Sequence, residues 1–151
     1  MGLKDRLTED MKISLKAGDA IRTGVLRLLR GSIKNEEIKL GHELQDEEVL
    51  KVLQREAKQR RDSIEAYTAA KRDDLARVEQ AEQEIIVEYL PLAMTEAQIR
   101  QLVEAVIIRY GATDVKQMGI VIGHVMAEAG ARAEGGMVSR IVRECLLGGA
   151  Q

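Results

Sequence analysis

Apolar residues recur along this chain at helical spacing with few interruptions. Leu3, Leu7, Met11 and Leu15 step by four and predict an opening amphipathic helix, which Gly18 ends. Asp19 can cap the next helix, carried by Ile21, Val25, Leu28, Leu29 and Ser32, with Arg22, Arg27 and Arg30 off the apolar stripe. The polar run Asn35 to Gln45 contains Gly41 and reads as a loop. Asp46 then caps a long helix whose buried side draws on Val49, Leu50, Leu53, Ala57, Ile64 and Tyr67. A break near Thr68 to Ala70 leads to a fourth helix through Leu75, Val78, Ala81, Ile85 and Tyr89. Asp73 and Asp74 near its start suit the helix macrodipole. Ile85-Ile86-Val87 is β-rich but lies inside the helical period. Pro91, the only proline, cannot donate to the helical ladder and marks a boundary between two lobes.

Beyond it, Thr95 opens a helix with a capping box to Gln98 and a staple from Met94 to Ile99. Ile99, Leu102, Val103, Val106 and Ile107 face inward, and Gly111 ends the helix. Thr113 or Asp114 starts the next one. Val115, Met118, Ile122, Val125, Met126 and Ala129 share one of its faces, and Ile120 and Val121 add apolar groups elsewhere. Gln117, His124 and Glu128 form a thin polar stripe. A helix this apolar is expected to be buried nearly all round. Six of the 13 glycines fall between Gly111 and Gly136, and none between His42 and Tyr110. Gly119 and Gly123, one turn apart, let another backbone approach closely, although each costs roughly 0.5–1 kcal/mol relative to Ala. That partner is either a packed helix of the same chain or a ligand backbone. Gly130 to Gly136 reads as a turn. Met137 to Leu147 forms the last helix, with Val138, Ile141, Val142 and Cys145 inward and Arg140 and Arg143 outward. The expected fold is all-α, in two helical lobes: about four helices over residues 1–92 and three over 93–151.

Composition narrows the partners. With no Phe or Trp and only three Tyr, the core must be built from Leu, Ile, Val, Ala and Met. The formal net charge of -2 argues against a strong non-specific nucleic-acid binder, so no DNA partner is expected. The charge is patchy, however. Residues 1–40 carry nine basic against six acidic side chains, and residues 51–61 carry five against one. Lys51, Arg55 and Lys58 share one helix face, with Arg61 close behind, and form a candidate phosphate-tracking stripe. The plainer reading is a solvated face paired with Glu47, Glu48 and Asp62. A single cysteine, Cys145, excludes an internal disulfide and suits a reducing compartment. No charged-then-apolar leader pattern opens the sequence, and no apolar run approaches about 18 residues. The expectation is a cytoplasmic protein without a membrane partner.

One stretch carries a family resemblance. Met118-Gly119-Ile120-Val121-Ile122-Gly123-His124-Val125-Met126, followed by Arg132-Ala133-Glu134-Gly135 and a short apolar helix, resembles the tail of the GatB/YqeY family. Its pattern is close to M-G-K-V-M-G-x-V-M, then R-A-D-G. Here Ile120 stands in place of the usual Lys and Glu134 in place of Asp, and Glu is a weaker N-cap. The likeness extends upstream through Tyr89-Leu90-Pro91 and Arg61-Asp62-Ser63-Ile64-Glu65, with Arg72, Leu75 and Glu79. Nearly the whole chain therefore resembles the stand-alone YqeY-like form. The same tail ends the B subunit of the glutamine-dependent tRNA amidotransferase, where it helps grip tRNA.

The resemblance implies a tRNA-binding accessory module linked to amidotransferase work, a carbon-nitrogen ligase with glutamine as amido-nitrogen donor. Carried over by residue, the RNA-binding candidates are Gly119, Gly123, Arg132 and Gly135, with Lys116 and Arg140 nearby. Arg can fork onto a phosphate, and recognition would read shape and 2′-hydroxyls more than sequence. The alternative is an adaptor that binds an amidotransferase or synthetase subunit without catalysis. No catalytic constellation is visible. Liberating ammonia from glutamine needs an activated nucleophile with a base in reach. Cys145 lies on an apolar face, His42 in a polar stretch, and His124 on the polar stripe. No pairing of these suits a metal, and no GxxxxGK[ST] loop is present, so no cofactor is expected.

Overall fold

Helix follows helix wherever an apolar stripe has a cap in front of it and a terminating turn behind it. The computed structural model describes residues 2–148; the outermost positions of the two expected lobes, 1 and 149–151, lie outside them. The described residues form seven α-helices and two 3-10 turns, with no strand. The chain divides into two units, Met1–Pro91 and Leu92–Gln151.

The first unit holds α1 (Leu3–Ala17), α2 (Ala20–Leu40), α3 (Asp46–Ala69) and α4 (Asp73–Val87). Its core is Leu7, Val25, Leu26, Leu29, Ile33, Val49, Leu53, Ile86 and their neighbours. Asp19 caps α2 as expected, accepting from the Arg22 N–H at 3.0 Å. Several details differ from the sequence reading. A strict step of four drifts around a helix of about 3.6 residues per turn, so Leu15 rotates out to 55% exposure. Ser14 is buried in its place, its hydroxyl 2.8 Å from that of Thr23. On α2, Ile21 and Leu28 are exposed while Leu26 and Ile33 are buried, and Val78 of α4 is exposed.

Asn35 to Leu40 is not loop. Helix α2 runs on to Gly41, because Glu37 meets Lys4 at 2.8 Å and Glu36 meets Arg55 at 3.6 Å. Gln45, not Asp46, precedes α3, and its N–H donates to Glu48 Oε1 at 3.1 Å. The Asp46 carboxylate instead accepts the Leu3 N–H at 3.0 Å, joining the starts of α1 and α3. Helix α3 continues to Ala69, and the break falls at Lys71, which adopts φ 60°.

The second unit holds α5 (Glu96–Tyr110), α6 (Met118–Ala129) and α7 (Gly135–Gly148). The Thr95–Gln98 capping box is present, with bonds of 3.1 and 2.9 Å. Gly111 ends α5 at φ 66°, a left-handed conformation that a side chain disfavours. Ile99, Val103, Val106, Val121, Val125, Val138, Ile141 and Val142 form the core of this unit. The 3-10 turns are Val115–Gln117 and Gly130–Arg132. Val115 lies in the first of them, partly exposed, and not on the buried face of α6.

Candidate nucleic-acid interface

Helix α6 is buried along one line only. Val121, Val125 and Ala129, at i, i+4 and i+8, face the core, with Met118, Ile122 and Met126 half-buried beside them. Gly119, Ile120, Gly123 and Ala127 are exposed on the other side. The expected all-round burial is therefore corrected. Within this unit α6 packs on α5 and α7, and two helical neighbours leave a third face uncovered. A Cβ built at Gly119 or Gly123 would meet nothing within 4 Å. The helix-packing explanation for these two glycines has no neighbour to rest on among the described residues.

Each residue of the polar stripe has a partner. Gln117 Oε1 accepts the Thr113 N–H at 2.7 Å and the Asp114 N–H at 3.2 Å, while Asp114 caps the first 3-10 turn. The His124 ring stacks on Tyr110 with centroids 3.9 Å apart and planes 10° from parallel. Glu128 pairs with Arg109. These contacts lock the end of α5 to α6 and leave the glycine face clear of side-chain bonds.

The remaining candidates are not alike. Lys116 is exposed in the first 3-10 turn. Arg132 is exposed at the end of the second, and its backbone carbonyl accepts the Met94 N–H at 2.8 Å. No hydrogen bond or ion pair engages its guanidinium among the described residues. Gly135 opens α7 and is exposed. Arg140 is held at 3.3 Å from Glu96 and 3.0 Å from Glu144, and Arg100 shares Glu144 at 2.7 Å. The two arginines hold the Glu144 carboxyl below its ordinary range, Arg100 first and Arg140 second. In the first unit, Lys51, Arg55 and Lys58 are exposed on α3, and Arg61 is half-buried.

The groups weighed for catalysis sit as follows. Cys145 is half-buried, its thiol pushed up in pKa by burial, with Arg100 Nη1 3.7 Å from Sγ. A raised pKa disfavours the thiolate that attacks. His42 is exposed, its Nδ1 2.9 Å from the Glu43 carbonyl oxygen. Among the described residues, no three His, Cys, Asp or Glu side chains converge to hold a metal. No described helix is long and apolar enough to cross a membrane.

A feature the periodicity missed is the buried polar knot of the first unit. The apolar periodicity passes over Glu56 and Arg60, yet both are buried on α3. Ser32 donates to Glu56 Oε1 at 2.9 Å. The available signal was their i, i+4 spacing on the same side as Val49, Leu53 and Ala57.

Comparison with known proteins finds relatives of this sequence. A family described as Yqey-like protein matches residues 4–146. Three curated relatives share the name altered inheritance of mitochondria protein 41, mitochondrial. The one from Clavispora lusitaniae is 39% identical over 97 residues, covering 62% of this chain and 56% of the relative. The one from Meyerozyma guilliermondii is 31% identical over 128 residues, covering 81% and 67%. The one from Saccharomyces cerevisiae is 38% identical over 85 residues, covering 56% and 46%. The chain thus spans between about half and two thirds of the length of these relatives.

The expectation of a cytoplasmic protein is corrected by these names, which are mitochondrial. A lone cysteine speaks to redox state, which does not separate cytosol from mitochondrion. With a match over residues 4–146 and an all-helical fold of two units, this chain belongs to the YqeY-like protein family.

Proposed function

We propose that this protein is a tRNA-binding helical module that supports amide transfer carried out by a partner. The observation that supports the reading is the open glycine pair of α6. Gly119 and Gly123 each cost the helix roughly 0.5–1 kcal/mol relative to Ala, and among the described residues no atom lies within 4 Å of a Cβ built at either. Bare helix backbone admits a sugar-phosphate strand at short range, and Arg132 supplies for a phosphate a guanidinium without a partner among the described residues. The test is retention of bulk tRNA by the purified protein over a salt series. RNA binding predicts affinity that falls steeply with salt. Gly123→Leu and Arg132→Ala should each weaken it about tenfold, as losing one good contact does. Undiminished binding by both variants refutes the assignment of this face.

A second reading is a protein adaptor. Ile120, 61% exposed, lies between the two glycines where a phosphate contact would want a cation. An apolar side chain there favours a protein surface. Co-purification with a protein, insensitive to salt and lost on Ile120→Glu, would select this reading over RNA.

A further inference from the structure

A second cluster of positive charge in the first unit lies away from the α3 stripe. It lines a cleft of about 510 Å³ between α1 and α2, within the size range of about 300–1,000 Å³ usual for ligand sites. Arg27, Arg30 and Lys34 follow one another at i, i+3 and i+7 on α2, and Lys4 stands among the residues from α1. The one carboxylate lining the cleft is Glu37. It is already engaged, accepting from Lys4 Nζ at 2.8 Å and from the Leu44 N–H at 2.9 Å.

Elsewhere in the protein, arginines are mostly neutralised at home: Arg22 by Glu88, Arg60 by Glu56, Arg72 by Asp74 and Arg109 by Glu128. In the cleft they are not. Arg30 reaches only the Met11 sulfur, at 3.4 Å, a weak acceptor readily given up. Arg27 forms no hydrogen bond or ion pair among the described residues. Arg30 and Lys34, at i, i+4, repel one another, which costs a helix a few tenths of a kcal/mol. Gly31 sits between them in mid-helix, and a Cβ there would meet nothing within 4 Å. A helix that keeps a glycine and like charges around an open hollow is arranged for something that enters the hollow.

We infer that the α1–α2 cleft, with Arg27, Arg30 and Lys34 around Gly31, receives phosphate groups of the tRNA backbone. This rests on the tRNA reading above and adds to it a contact in the first unit, with Gly31 letting the strand come close. Arg forks onto phosphate oxygens and Lys adds a mobile point charge.

The experiment uses the full chain. Arg27→Gln, Arg30→Gln and Lys34→Gln are combined, and tRNA affinity is followed against salt. Losing two to three phosphate contacts should flatten the log–log slope by about two units. Gly31→Leu keeps every charge, occupies the hollow, and should weaken binding about tenfold; thermal melts confirm that each variant folds. In a second arm, pyrophosphate is titrated while the Gly31 and Thr8 amide resonances are observed. A flattened slope with weakened Gly31→Leu binding supports the inference. Wild-type binding that both variants retain in full overturns the cleft and leaves the tRNA reading standing. No wild-type tRNA binding, with pyrophosphate shifts at Gly31, overturns RNA as the source and leaves a free-phosphate site. Silence in both arms overturns both.

Discussion

Arg60 Nη1 donates to Glu56 Oε2 at 2.8 Å, and both side chains are at most 10% exposed. This pair lies along α3 among apolar neighbours, a low-dielectric setting in which an isolated charge is costly. Ser32 satisfies the second Glu56 oxygen, and Glu82 Oε2 lies 3.3 Å from Arg60 Nε. That N–H is buried and not aimed at Glu82, so it feels the charge without forming a hydrogen bond.

Removing Glu56 leaves the buried Arg60 without its hydrogen-bonded carboxylate, with only the nearby charge of Glu82. Glu56→Ala should lower unfolding free energy by about 3–5 kcal/mol, read from urea melts. The double replacement Glu56→Leu with Arg60→Met should cost less than the two single changes added together. An additive result would mean that the pair is not energetically coupled.

Tyr89 closes the first unit by donating to Asp10 Oδ2 at 2.6 Å, with the Arg6 guanidinium 4.6 Å from its ring centroid. Burial first, and the Asp10 carboxylate second, push its pKa up to about 12. An unfolded tyrosine titrates near 10. Between these values the native state binds more protons than the unfolded one, so stability falls as pH rises. The contribution is fully present below about pH 10 and is lost as pH climbs through 10 towards 12, on the order of 1–3 kcal/mol. Tyr89→Phe should remove that share of the alkaline loss, measured by denaturant melts across this range.

Lys71 holds φ 60° between α3 and α4. The Arg72 N–H donates to the Tyr67 carbonyl at 2.8 Å, closing the end of α3 in the pattern that ordinarily places glycine at the left-handed position. Lys71→Gly should raise stability by about 1 kcal/mol, part of the gain being offset by a freer unfolded chain. A lower melting temperature would contradict this account.

Arg140 and Arg132 should behave differently in RNA binding. Glu96 and Glu144 occupy the Arg140 guanidinium. Arg140→Ala should therefore change tRNA affinity less than twofold in a filter-binding assay, a change worth about 0.4 kcal/mol. Arg132→Ala should show the larger loss.

The helices were legible because an apolar stripe, a cap and a stop can all be read along the chain. Thr95, Asp19 and Gly111 did in the fold what their spacing predicts. The segment from Asn35 to Leu40 was not legible, because its carboxylates find Lys4 and Arg55 only after other helices arrive. Burial of Ser14, Glu56 and Arg60 depends in the same way on partners that folding supplies. For α6, periodicity tells which face is greasiest and not how many neighbours exist to cover the rest. The spacing of Arg27, Arg30 and Lys34 could be seen in the sequence; the scarcity of carboxylates around them could not.

The bond from the Met94 N–H to the Arg132 carbonyl has a mechanical consequence. It rivets the segment entering α5 to the turn that leaves α6, so the backbone of Arg132 is held from two directions. The Arg132 guanidinium is thus carried on a backbone position fixed both by its own turn and by the residue just ahead of α5.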